Sequence, residues 1–469
     1  MAGRFSKAFF VVRSVNVDEA FVRVCVLGIK TVQPKDARHY QILVPHEFSR
    51  RFHAPAVFEY GSQRHSVANL FRDAKSAGRR FQAPLFRPKT KSGSRNGIRA
   101  QFFLSRFQRE PLLAHRNVDS CLRAFLHLRL AVGCAVSKAK SYHIAVVGAT
   151  GAVGAELLGV LERRGFPVER LLPLSSSRSA GKIVSFRNSE IAAEELSPVS
   201  FEGIDLAFFS AGGDISRRYA PIARAAGAIV IDNSSVFRME PDVPLVIPEI
   251  NGKDIQQHSG LIANPNCTTA VALMALYPLH RAFGVRRVFA ASYQAVSGSG
   301  ARAISELRSQ VEAAAEKKMP VAQVYPHPIA FNVLPHVDSF LPSGYTKEEM
   351  KMQNEGRRIM HLPEFRASVT CVRVPVYRAH SVAVSAEFER PVSVAEAHEA
   401  LTKAPGLELV DEPQKNSYPM PLSTAGKDNC EVGRVRLDCA LENGLSFWVS
   451  GDQLLKGAAL NAVQIAELL

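Results

Sequence analysis

The chain has 469 residues, 46% of them hydrophobic and 22% charged, which is enough for two or three domains with sizeable cores. Its net charge of +15 suggests nucleic acid, but residues 1–140 hold 26 of the 58 Lys and Arg and only 8 of the 43 Asp and Glu. The basic character belongs to the N-terminal part alone, the rest is slightly acidic, and no nucleic-acid partner is expected for the body of the protein.

The seven cysteines (Cys25, Cys121, Cys134, Cys267, Cys371, Cys430, Cys439) are scattered, without CxxC or Cys/His ligand spacing. That pattern fits a reducing compartment, here the cytoplasm, and argues against a disulfide framework or a metal site. No apolar run approaches the ~18 residues that span a membrane; the nearest, residues 124–136, is broken by Arg129.

Residues 1–141 are rich in Arg, Phe and His. Residues 22–27 read as a strand, 122–132 as a helix and 87–95 as an exposed loop. Three readings compete: a basic surface-binding extension, a targeting segment, or an upstream stretch ahead of the true start. The third is favoured. No methionine lies between Met1 and Met239, so Val136 is the candidate start. Low order is expected over most of residues 1–135, with no contribution to catalysis.

From residue 142 the pattern turns regular. Residues 143–147 read as a buried strand that feeds Gly148-Ala149-Thr150-Gly151-Ala152-Val153-Gly154 and then a helix over 155–164. Strand, glycine turn and helix are the context of a phosphate-cradling dinucleotide loop. The second strand, 171–174, ends in Ser175-Ser176-Ser177-Arg178-Ser179 rather than in an acid. Hydroxyls and a guanidinium suit a 2′-phosphate, so the cofactor expected is NADP(H).

Strands over 205–209 and 228–231 end in Ser210-Ala211-Gly212-Gly213 and Asp232-Asn233-Ser234-Ser235, and a short strand over 261–263 follows. Open α/β sheets bind ligands at the carboxyl edge of their strands. The last strand leads to Asn264-Pro265-Asn266-Cys267-Thr268-Thr269, where a cysteine opens a helical segment, 270–277. A thiol at a helix N-terminus is expected to have its pKa lowered toward the thiolate, and so to be a nucleophile beside the dinucleotide.

A strand over 287–293 ends in Gln294, followed by Ser297-Gly298 and a helix over 301–318. Glu348 and Lys351 share one face of the next helix and by themselves read as a solvent-exposed ion pair. Arg373 and His380 lie in one apolar strand–turn unit, where an anion clamp and a general acid/base are plausible roles. Residues 444–449 form a strand, and Lys456-Gly457-Ala458-Ala459 suits either a helix start or packing against a cofactor.

These motifs, in this order, resemble the bacterial-type aspartate-semialdehyde dehydrogenases over residues 142–469, about 70% of the chain. The resemblance implies an α/β protein: a Rossmann-like domain over 142–266 completed by 451–469, and a second α/β domain over 267–450 for catalysis and dimerisation. It implies Cys267 as nucleophile, His380 as acid/base and Gln294 as the residue that positions the acyl group. Arg373 would hold the substrate carboxylate, Glu348 its ammonium, and Arg238 and Lys351 the phosphate. Gly148, Thr150, Gly151, Ala152, Val153, Gly154, Ser176, Arg178, Ser179, Ser210, Ala211, Gly212, Ser297, Gly298, Lys456 and Gly457 would surround NADP(H). The activity implied is NADPH-dependent reductive dephosphorylation of L-aspartyl-4-phosphate to L-aspartate 4-semialdehyde, in lysine, methionine and threonine biosynthesis, by a homodimer or a tetramer. Two departures, Gly213-Asp214-Ile215 and Asp452-Gln453, touch details of cofactor contact. The rival N-acetyl-γ-glutamyl-phosphate reductases set their cysteine in Gly-Cys-Tyr-Pro, unlike Asn266-Cys267-Thr268. A non-catalytic NADP-binding or nucleic-acid-associated protein is the remaining alternative.

Overall fold

The computed structural model describes residues 141–469 and, within residues 1–140, the backbone of three short strands. These are β1 (Ile29–Thr31), β2 (His39–Ile42) and β3 (Phe58–Glu59), paired antiparallel in that order. The strand expected over 22–27, the helix over 122–132 and the low order of 1–135 fall outside the described residues. The chain divides into units 1–134 and 135–469, and the second carries everything below.

The first sheet of this unit contains β4 (Tyr142–Val147) and β5 (Val168–Ser175). A separate hairpin, β6 (Ile183–Phe186) and β7 (Ser189–Ala192), interrupts it. It resumes with β8 (Glu194–Glu195), β9 (Leu206–Phe209), β10 (Ile229–Asp232) and β11 (Leu261–Ala263). All pairings within it are parallel, in the order β11-β10-β9-β4-β5-β8.

Alternation along β4 explains its apolar run. Ile144 and Val146 pack with Leu157 and Leu161 of α1 (Ala152–Arg163), while Ala145 and Val147 belong to the core on the opposite face. Both faces are covered, as parallel sheets require. The hairpin escapes sequence reading because its turn is Arg187-Asn188, both left-handed (φ 48° and 62°), rather than a glycine-bearing pair.

The second sheet is mixed: β12 (Val285–Gln294), β13 (Arg366–Arg373), β14 (His380–Phe388), β15 (Leu407–Leu409), β16 (Cys430–Leu437) and β17 (Gly444–Gly451), ordered β13-β12-β14-β17-β16-β15. Only β12/β13 and β15/β16 are parallel.

In chain order after α1 come α2 (Gly213–Ala225), α3 (Cys267–Phe283), α4 (Ala301–Ala315), α5 (Lys347–Ile359), α6 (Val394–Thr402) and α7 (Leu460–Glu467). Helix α3 is buried nearly all round and shares one core with residues of both sheets, including Phe209 and Val384. It runs past Pro278, beyond the 270–277 expected, because buried Leu279 and Phe283 continue its apolar surface; it stops at Gly284, whose φ is 75°. Helix α7 returns to the first sheet, where Leu460, Val463 and Ala466 join the core of Ile144 and Phe208.

Register aligns the edges that matter. Val147, Phe209, Asp232 and Ala263 are successive partners across β4, β9, β10 and β11, so their following loops emerge together. In the second sheet Gln294 pairs with Arg373, and Tyr293 with Ser381, the neighbour of His380. The architecture is the expected pairing of a Rossmann-like parallel sheet with a second α/β domain.

Candidate active site

The two edges face one cleft of about 390 Å³. Its walls include Cys267, His380, Gln294, Arg238, Glu348, Lys351 and Arg373, together with Val153, Ser210, Gly212, Ser297, Gly298 and Gly457. A larger open groove of about 890 Å³ near Arg224, Asp254 and His361 holds none of these residues.

Cys267 is the first residue of α3, half-buried at the cleft wall. Asn266 caps the helix, its Oδ1 accepting the Thr269 N–H at 3.0 Å, and the Ala270 N–H reaches the Asn266 carbonyl. The first-turn N–H groups of Cys267 and Thr268 are thereby left for another acceptor. The thiol pKa departs from the sequence expectation: it is raised, not lowered. Burial is the largest cause and the Glu348 charge adds to it, outweighing Arg238, Lys351 and Arg373, which pull the other way.

His380 begins β14, fully buried. Its Nδ1 accepts the Ala295 N–H at 3.0 Å, so the neutral ring carries its proton on Nε2. Burial first and Arg373 second bring its pKa down to about 3, against a weaker opposite pull from Glu348. The imidazole is therefore neutral at physiological pH. Arg373 donates from Nη1 to the Ala295 carbonyl at 2.8 Å and lies over the Tyr325 ring. Neither His380 Nε2 nor Arg373 Nε has a protein partner, although both atoms are buried. Gly298 backs the pair closely; a Cβ there would lie 3.2 Å from Arg373 Nη1 and 3.3 Å from His380 Nε2.

Glu348 and Lys351 are not the solvent-exposed pair their spacing suggests. Glu348 is 7% exposed, and its Oε2 meets the Lys351 ammonium at 2.7 Å. Its Oε1 accepts from Asn266 Nδ2 and Gln294 Nε2. Burial would raise this carboxyl, but the Lys351 charge and these hydrogen bonds bring it down to about 2. For Lys351 burial is outweighed by Glu348, and its pKa is raised.

Arg238 is buried and held on three sides. Its Nε donates to the Asn264 carbonyl, Nη2 to the Asn233 carbonyl, and Nη1 to Glu355 at 3.0 Å. Glu355, one turn beyond Lys351, was not singled out from sequence; its i+7 spacing from Glu348 on α5 was the available signal. Burial raises its pKa against the pull of Arg238. Asn264 is bonded in turn to Asn233, Asn461 and the Ala458 carbonyl, which fixes the approach to Cys267. Gln453 accepts the Ala379 N–H and donates to Ser297, tying the turn before His380 to the loop after Gln294.

For the dinucleotide, Gly148 takes φ 89° and lies so close to Ser210 that a Cβ would meet its carbonyl oxygen at 2.4 Å. A Cβ on Gly154 would meet the Gly148 carbonyl oxygen at 2.2 Å. Helix α1 starts after Gly151 without a side-chain cap, leaving its first N–H groups to an anion. These residues fit a pyrophosphate. Gly148, Thr150, Gly151, Ala152, Gly154 and Ala211 flank the cleft without lining it, and Ser176, Arg178 and Ser179 lie beyond it after β5, Ser176 and Arg178 exposed.

The Lys456 side chain turns away from the cleft. Its ammonium is buried and bonded to Glu249, Asn461 and Gln464, so the side chain is committed to anchoring α7 and does not reach the cleft. The surrounding residues, Leu455–Ala459, form one π-helical turn that brings Gly457 against Cys267.

Comparison with known proteins shows the family. The semialdehyde dehydrogenase NAD binding domain matches residues 143–258, and the semialdehyde dehydrogenase dimerisation domain matches 276–456. The aspartate-semialdehyde dehydrogenase of Aquifex aeolicus is 52% identical over 332 residues, covering 70% of this chain and 98% of that protein. That of Bacillus subtilis is 47% identical over 338 residues, with the same coverage. Among solved structures, aspartate semialdehyde dehydrogenase II of Vibrio cholerae complexed with ASA aligns with a TM-score of 0.69 and 41% identity, covering 71% of this chain and 98% of that one. The chain belongs to the aspartate-semialdehyde dehydrogenase family.

Proposed function

We propose that the protein converts L-aspartyl-4-phosphate to L-aspartate 4-semialdehyde through a thioester on Cys267, with NADPH as reductant. The observation that carries this reading is the pair of buried donors, Arg373 Nε and His380 Nε2, left without partners in a cleft shared with a cysteine. Unpaired buried donors are costly, and a substrate supplies what they lack.

Arg373 takes the substrate α-carboxylate and Glu348, a carboxylate at neutral pH, takes its ammonium. That ammonium offsets the Glu348 charge, one of the two influences holding the Cys267 thiol up. The sulfur attacks the acyl carbon, and the N–H groups of Cys267 and Thr268 are suited to the oxyanion. The acyl carbon–oxygen bond breaks, and phosphate leaves toward Arg238 and Lys351 with the electron pair and with the proton that the thiol gave up. Gln294, bonded to Glu348, steadies the acyl group. NADPH, when bound, supplies hydride to the thioester carbonyl. The C–S bond then breaks as the carbonyl re-forms, and the sulfur leaves as a thiolate that the Nε2–H of His380 can hold by a hydrogen bond while keeping its proton.

NADP over NAD is supported by Ser176, Arg178 and Ser179, which offer hydroxyls and a guanidinium where an acid would select NAD. Among the described residues no helix is long and apolar enough to cross a membrane. The cytoplasm suits a nucleophilic thiol that must stay reduced. A homodimer is supported by the dimerisation-domain match and by Phe289 and Tyr293, exposed on β12. The test is NADP reduction by L-aspartate 4-semialdehyde with and without inorganic phosphate. Phosphate-dependent NADPH formation is expected; no turnover, or turnover indifferent to phosphate, contradicts the assignment.

A further inference from the structure

We propose that Glu355 is a positioning residue that couples the phosphate-binding arginine to the start of the nucleophile helix. This rests on the reading of Arg238 as a phosphate ligand and deepens it. Glu355 is 2% exposed, and both of its oxygens are engaged. Oε1 accepts from Arg238 Nη1 at 3.0 Å and Oε2 from the backbone N–H of Asn266 at 2.7 Å. Each oxygen thus accepts one N–H donor, and the side chain bridges the two.

The consequence for Arg238 follows from its donors. A guanidinium has five N–H groups, and three are taken by Glu355, Asn264 and Asn233. One hydrogen remains on each Nη, and those two can close as a fork on an oxyanion in the cleft that Arg238 lines. Without Glu355 the Nη1 bond that turns this fork is lost.

The consequence for Cys267 runs through Asn266. Glu355 holds its main chain, Glu348 holds its side-chain amide at 2.9 Å, and its Oδ1 caps the helix that Cys267 opens. Two acids seven residues apart on α5 thus grip the residue before the nucleophile, while the more distal one also aims the arginine. Helix α5 sets the distance between leaving group and sulfur.

The experiment compares wild type, E355Q, R238K and the double variant as full chains, in the direction that consumes aldehyde, NADP and inorganic phosphate. For E355Q we expect the KM for phosphate to rise roughly 10- to 100-fold, as for loss of a charge-assisted hydrogen bond, with the KM for NADP changed less than about twofold. In the R238K background the same change should add little, because both act on one contact. A purely structural role would raise all three KM values together and lower the melting temperature. If E355Q does not fold, E355D serves: its shorter carboxylate cannot span both partners, and the phosphate KM should still rise. Unchanged phosphate KM in a folded Glu355 variant, or full additivity with R238K, overturns the proposal. Absence of phosphate dependence in wild type would instead overturn the reading beneath it.

Discussion

Gly457→Ala tests whether the sulfur must sit where the π-helical turn puts it. A Cβ built on Gly457 lies 2.7 Å from the Cβ of Cys267 and 3.1 Å from its Cα. Ordinary carbon–carbon contact is roughly 3.5–4.0 Å, so the added methyl intrudes by about 1 Å. Gly457 is not at a positive φ, so the backbone accepts alanine and the strain falls on the contact. The π-helical turn is anchored by the Lys456–Glu249 pair and by Asn461, so the added methyl presses on the start of the nucleophile helix. Displacing a nucleophile by about 1 Å is expected to lower kcat on the order of 100-fold. The assay is phosphate-dependent NADPH formation, with NADP affinity and melting temperature as controls. Wild-type kcat in a folded Gly457→Ala protein would refute the reasoning, since the thiol's position would then not govern the rate.

Cys267→Ser should remove nearly all turnover while NADPH still binds, read by fluorescence titration; wild-type-like rates would remove Cys267 as nucleophile. Arg373→Leu should raise the KM for the aldehyde roughly 10- to 100-fold while leaving the KM for phosphate near wild type, as for loss of a charged hydrogen-bond donor; an unchanged aldehyde KM would exclude the carboxylate role. Protonation of His380 is resisted in the folded state, where its pKa is about 3, against 6.5 for the free side chain. Below pH 6.5 the unfolded chain therefore binds the extra proton, and stability falls with pH until about 3. Wild type should lose up to about 1.4 kcal/mol per pH unit more than His380→Gln across that window, measured by denaturant titration. Glu348 acts in the same sense at lower pH, its contribution being lost as pH falls from 4.5 through about 2. Equal slopes for wild type and His380→Gln would contradict the burial argument.

Strands β4, β5, β9, β10, β11, β12 and β17 and the glycine loop were legible because apolar runs and turn glycines leave marks in a single sequence; β8, β15 and β16 were not. Cys267, Arg373 and His380 were legible because each interrupts an apolar element at its end. What one sequence conceals is which polar residues become buried together. Glu348 and Lys351 look like a surface pair until α5 is packed against Asn266 and Gln294. Glu355 then gains two partners 89 and 117 residues away. Lys456 looked suited to the cofactor by its place in the motif, yet rotation through the π-helical turn sends its ammonium to Glu249. The thiol's raised pKa was hidden for the same reason: a helix N-terminus is visible in sequence, whereas its desolvation and the facing Glu348 are tertiary facts.

The most direct measurement is mass spectrometry of the intact protein, quenched in acid after mixing with aspartate semialdehyde and NADP but no phosphate. We expect an aspartyl group on the peptide that contains Cys267, formed with a matching burst of NADPH and discharged when phosphate is added. NADPH formation without that adduct, or with the adduct on another residue, would contradict the thioester route.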